Sequence, residues 1–136
     1  MVRSAGWEVD IDGERTEIAE LVGKTRPALI LLNDNDLAYA KIRLDADSHA
    51  FSLTNLSRIA DPLARALIWG AEWDATRDAE TPASDFVTLV LENIGAETES
   101  TVVRTVLGQL LTTATMYVSP QKRQSTLRQV ADTLWQ

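Results

Sequence analysis

Cysteine is absent from this 136-residue chain, histidine occurs once, and no stretch of apolar residues reaches membrane-spanning length. Without cysteine there is no disulfide, no thiolate nucleophile and no Cys-ligated zinc, and the chain suits a reducing compartment; a cytoplasmic location is expected. The lone His49, in Asp45-Ala46-Asp47-Ser48-His49-Ala50, leaves H-E-x-x-H zinc hydrolysis and Ser-His-Asp chemistry without their parts. It reads as an ordinary residue in the first turn of a helix. Fewer than 18 consecutive apolar residues rules out a membrane span, and Met1-Val2-Arg3-Ser4 lacks the apolar core of a signal peptide. Basic side chains are in the minority, 13 Lys+Arg against 20 Asp+Glu for a net charge of −7. Phosphate backbones and anionic membranes are held by clustered cations, so neither nucleic acid nor membrane is an expected partner. The excess is spread evenly, 6 basic and 9 acidic side chains in residues 1–45 and 7 and 11 in residues 46–136, and reads as solvation. Neither glycine-rich phosphate loop pattern occurs.

What the chain does contain is two kinds of periodicity. Trp7-Glu8-Val9-Asp10-Ile11 alternates apolar and acidic side chains, the period of a half-buried strand. Asp12-Gly13 suits a tight hairpin turn, after which Arg15–Ile18 runs back. Ala28-Leu29-Ile30-Leu31-Leu32 is a continuous apolar run of strand length, expected to be buried on both faces. Asn33–Asp36 makes a turn and Leu37–Leu44 alternates again. From Asp45 the spacing becomes helical. Ile59, Leu63, Ala66, Leu67, Gly70, Ala71 and Trp73 recur at three and four residues, as do Val102, Val103, Val106, Leu107, Leu110, Leu111 and Ala114, and Leu127, Val130, Ala131 and Leu134. Asp61-Pro62, Thr81-Pro82 and Ser119-Pro120 each place a capping side chain before a proline at the first helical position. Gly95 reads as a helix stop in the left-handed conformation. Short breaks favour antiparallel neighbours and a stacked α-α array over a closed bundle. The expected fold is therefore α+β: strands of a β-sandwich over residues 1–45, then antiparallel helices of an α-superhelix over 46–136. The first third holds too few strands for a sandwich of its own, and the final helix reaches Gln136 with Leu134 and Trp135 in apolar register, as in a piece of a longer chain.

Three constellations invite chemistry. Asn33-Asp34-Asn35-Asp36 suggests calcium, but counting from Asp34 puts Tyr39 and Asp45 where an EF-hand needs glycine and glutamate, so a turn is expected. Trp69 and Trp73, four apart, are an aromatic pair better suited to packing between helices than to a ligand. Glu72, Asp74, Asp78 and Glu80 resemble paired catalytic carboxylates, with a solvated face partnered by Arg77 as the plainer reading. No catalytic or metal-ligating residue is assigned, and substrate-binding residues stay unknown.

Two segments carry a family resemblance. Leu31-Leu32-Asn33-Asp34-Asn35-Asp36-Leu37-Ala38-Tyr39-Ala40-Lys41-Ile42-Arg43-Leu44-Asp45 resembles the last β-sandwich hairpin of the actinobacterial aminopeptidase N family, with Asn35 for an aspartate and Ala38 for a threonine. Ala64–Glu80, around Trp69-Gly70-Ala71-Glu72-Trp73, is similar to that family's early C-terminal helices. The resemblance implies a non-catalytic C-terminal region of a zinc metallopeptidase that removes N-terminal residues from peptides. Metal ligands, catalytic glutamate and G-A-M-E-N loop would lie upstream, leaving this region to scaffold the active site and limit access to it. The implied partners are the upstream catalytic domain of the same polypeptide and the parent's peptide substrates; zinc belongs to the parent and no cofactor to this chain. Surfaces that the parent covers are expected to make the isolated chain self-associate. The competing readings are a stand-alone α+β protein-interaction module and a small enzyme using Asp74 and Asp78.

Overall fold

The computed structural model describes residues 1–136 and contains only helices and irregular chain. Five helices follow one another: α1 (Ala46–Asn55), α2 (Pro62–Arg77), α3 (Ala83–Asn93), α4 (Ser100–Thr112) and α5 (Pro120–Leu134). Short 3-10 turns sit at Ala19–Leu21, Leu56–Arg58 and Ile94–Ala96, and α4 continues into a π-helical turn at Thr113–Tyr117.

The helix starts have local causes. Asp45 caps α1 by accepting from the backbone N–H groups of Asp47 (3.1 Å) and Ser48 (3.0 Å). Asp61 does the same for α2 through Leu63 N (2.9 Å), with Pro62 in the first helical position. Before α3 the register shifts by one residue: Pro82 is itself the cap, and Ala83 the first helical residue. Ser119 stands at the cap of α5 without a side-chain bond. Gly95 does not turn left-handed; α3 ends instead in the tighter Ile94–Ala96 turn. The left-handed stop occurs after α2, at Ala79 (φ 60°), where Ala79 N donates to Thr76 O (3.1 Å) and Glu80 N to Ala75 O (2.9 Å). This bond pair is a Schellman closure with alanine in the place glycine usually takes.

α3 is the centre of the molecule and touches α1, α2, α4 and α5. Its Phe86, Val87, Leu89 and Val90 are buried against Leu56, Ile68, Trp69, Val106 and Leu110. One helix surrounded by four is a bundle, not the serial stack expected from the short connections, in which each unit meets only its neighbours. Asn93, 1% exposed, fastens this core with its amide: Ser57 N donates to its Oδ1 (2.9 Å), and its Nδ2 donates to the carbonyls of Leu53 and Leu89 (2.8 Å each). A buried amide so satisfied costs little and fixes the register of α1 against α3.

The expected β-sheet over residues 1–45 is absent: no strand occurs, and no backbone ladder joins the alternating segments. The alternation itself has a different cause. In Ala28–Leu32, Leu29 and Leu31 pack on the helical core while Ile30 and Leu32 stay 37% and 45% exposed, so the run rests on helices by one face and is not buried on two. Its backbone is anchored to α1, where Ile30 N donates to the buried Ser48 Oγ (2.9 Å). Trp7, Val9 and Ile11 are 45%, 40% and 73% exposed and find no buried face. Period two marks an extended chain with two unlike sides; a sheet also needs a neighbouring strand in hydrogen-bonding reach, and these segments have none. The Asn33–Asp36 turn does form, with Asn33, Asn35 and Asp36 at positive φ, and Asn33 bonds Ala38 through both its amide oxygen (2.9 Å) and its nitrogen (2.8 Å).

Candidate functional site

The polar residues converge at the junction of α1, α2 and α3. Ser48 and Ser52, both fully buried and one turn apart on α1, present hydroxyls where an apolar helix face would carry methyl groups. Buried hydroxyls need partners. The single Ser52 hydroxyl proton is shared between the His49 carbonyl (2.8 Å) and Glu72 Oε1 (2.9 Å), while Ser48 donates to Asp45 Oδ2 (3.0 Å). Between the serines His49 points at two other helices: Nδ1 lies 2.8 Å from Glu72 Oε2 on α2, and Nε2 lies 3.1 Å from Asp85 Oδ2 on α3. Burial disfavours the charged ring, but the Asp85 hydrogen bond and the Glu72 carboxylate outweigh it and raise the His49 pKa above its ordinary 6.5.

A cleft of about 160 Å³ opens beside this cluster, lined by Arg43, Leu44, His49, Glu72, Glu80 and Thr81 among others. Its rim is an ion-pair seam. Arg43 donates to Glu80 (2.6 Å) and Asp78 (2.6 Å), and Lys41 reaches Asp78 (3.1 Å), holding the Leu37–Leu44 segment over the end of α2. The Arg43 hydrogen bond holds the Glu80 carboxyl below its usual range, and that of Lys41 does the same for Asp78.

A second polar cluster lies at the other end of α2. The Glu97 side chain, 3% exposed, accepts from Arg65 Nε (2.9 Å) and Trp69 Nε1 (2.9 Å), while Arg65 Nη1 donates to Ile59 O (2.8 Å). Desolvation pushes the Glu97 carboxyl up, but the Arg65 and Trp69 hydrogen bonds overcome it and hold it low.

The sequence-level candidates are dispersed by this geometry. Asp74 pairs with Arg77 (3.0 Å) as expected of a solvated face, but Asp78 and Glu80 serve the seam, and Glu72 is buried, not solvated. Asp74 and Asp78 therefore form no acid/base pair of their own. Trp69 is core, and Trp73 packs on Phe86 (5.5 Å) and stacks on Tyr117 (6.0 Å), as the packing reading holds. The Glu72 contact left one mark in the sequence: it shares the buried stripe of Ile68, Trp69, Ala75 and Thr76, and a carboxylate on such a stripe requires a donor.

Chemically, the cluster binds its own members. Ser52 lies against Glu72 and not the imidazole, and both ring nitrogens face carboxylates, so the cluster contains no paired nucleophile and base. No group of three His, Cys, Asp or Glu side chains is arranged to hold a metal ion. The zinc implied by the family resemblance thus has no fitting ligand set among these residues. No helix is long and apolar enough to cross a membrane.

Fold and site together define a helical domain whose charged groups tie its helices to one another. Over residues 29–136 the chain matches the ERAP1-like C-terminal domain, and it belongs to that family. It is also 44% identical, over 127 residues, to an aminopeptidase N of Streptomyces lividans; the alignment covers 93% of this chain and 15% of that relative's length. The aminopeptidase N resemblance of Leu31–Asp45 and Ala64–Glu80 is borne out.

Proposed function

We propose that this chain is the non-catalytic part of a zinc-dependent aminopeptidase, one that scaffolds and limits access to an active site elsewhere in the same polypeptide. The carrying observation is the 44% identity to aminopeptidase N spread over 93% of the chain, with only 15% of the relative accounted for. In this reading residues 1–45 lead from the preceding domain and residues 46–136 open a helical C-terminal domain, and the parent removes N-terminal residues from peptides. The site supports the non-catalytic role, since its one imidazole is engaged by Glu72 and Asp85.

The natural reading frame supplies the first test. It should encode H-E-x-x-H with a glutamate some twenty residues further on, upstream of Val2. At the bench, the natural polypeptide should release p-nitroaniline from alanyl- or leucyl-p-nitroanilide, lose this activity to a chelator and regain it with zinc. The 136-residue chain incubated with zinc should release none. Activity that stays with this chain through further purification, or a natural frame without the motif, overturns the proposal.

A further inference from the structure

We propose that His49 is a doubly protonated joint fastening α1 to α2 and to the first turn of α3, and that removal of one proton frees that first turn at Asp85 while leaving α2 held. The geometry carries this. A neutral imidazole has one N–H and one lone pair, yet both ring nitrogens here lie within hydrogen-bonding distance of carboxylate oxygens, Nδ1 at 2.8 Å from Glu72 and Nε2 at 3.1 Å from Asp85. Two donors are needed, and only the cation has them. The two contacts are also unequal. Glu72 is buried and its other donor is Ser52, whose one proton is shared with the His49 carbonyl, so losing the imidazole proton would leave a carboxylate underserved away from water. Asp85 is 31% exposed at the side chain, in the first turn of α3, and water can replace the ring. The remaining proton therefore stays on Nδ1, toward Glu72, and the Nε2 contact to Asp85 opens. The other charges around the ring do not compete: Arg43 and Glu80, across the cleft, are paired with each other at 2.6 Å, while Asp45 and Asp47 on the α1 side face Arg26.

The sign follows from linkage. A group whose pKa is raised by folding adds stability that is complete below its unfolded value, near 6.5, and is lost as the pH climbs through the higher folded value. The joint is thus closed in mild acid and opens toward alkaline pH.

Because His49 is the only histidine, its ring signals in ¹⁵N-labelled chain are unambiguous. A titration of the 136-residue chain from pH 5 to 9 should show a ring protonated at both nitrogens with a midpoint above 6.5, then the Nδ1–H tautomer above that midpoint. Amide signals of Ser84–Val87 should move with the same midpoint, while the Trp69 indole, which bonds Glu97, should not. Asp85→Asn, a change at a partly exposed site, should lower the midpoint. A midpoint at or below 6.5, an Nε2–H tautomer at high pH, or α3 amides indifferent to the ring each overturn the proposal.

Discussion

Residues 1–45 and residues 46–136 are held in place by different forces. The helical part owns the core: the buried residues run from Ser48 to Val118. The first part leans on that core with Leu29, Leu31 and Leu44, borrows a hydroxyl from Ser48, and is pinned by the Arg43 and Lys41 seam. Apolar burial scales with area and survives salt, whereas exposed ion pairs are screened. One region therefore makes the fold, and the other is dressed onto it.

Mutations should separate the two regions in order of size. Phe86→Ala or Leu89→Ala, in the middle of α3, should cost about 3–5 kcal/mol in urea unfolding through the cavity each leaves. Ile11→Ala, at a position 73% exposed, should stay within about 0.5 kcal/mol. Equal effects would erase the distinction. Arg65→Ala strands the buried Glu97 carboxylate and should cost about 3 kcal/mol. Glu97 also sets an acid limit. Its folded pKa is depressed below the ordinary 4.5, so its contribution is complete above 4.5 and is lost as the pH falls through the folded value. Glu97→Gln should flatten stability across that window. Asp45→Ala removes the α1 cap and should cost about 1 kcal/mol. Ala79→Gly relieves a left-handed alanine and should stabilise by roughly 0.5 kcal/mol, the balance of steric relief against chain entropy. Smallest of all, Arg43→Ala should speed amide exchange around Leu37–Leu44 without moving the unfolding midpoint, and 1 M salt should reproduce it in the unmutated chain.

The sequence made the helical half legible because helix signals are local. Asp61-Pro62 sets the start of α2 within three residues, and the 102–114 stripe includes the buried Val106, Leu110 and Ala114. The first half misled for the converse reason. Strand pairing is decided between segments, and alternation in Trp7–Ile11 looks the same with or without a neighbour. The site was illegible for a similar reason: His49 meets Glu72 and Asp85 across 23 and 36 residues, and Arg65 meets Glu97 across 32. Spacing along one helix cannot report such pairs. Two buried serines on α1 and a carboxylate on the core stripe of α2 were the traces they left.

Residue-resolved hydrogen exchange on the 136-residue chain tests the division most directly. Slow amides should cluster in α2, α3 and α4, and within Ala28–Leu32 only Ile30, held by Ser48 Oγ, should be slowed. Alternating protection along Trp7–Ile11 and Leu37–Leu44, with cross-strand contacts between them, would reveal a sheet and contradict the account.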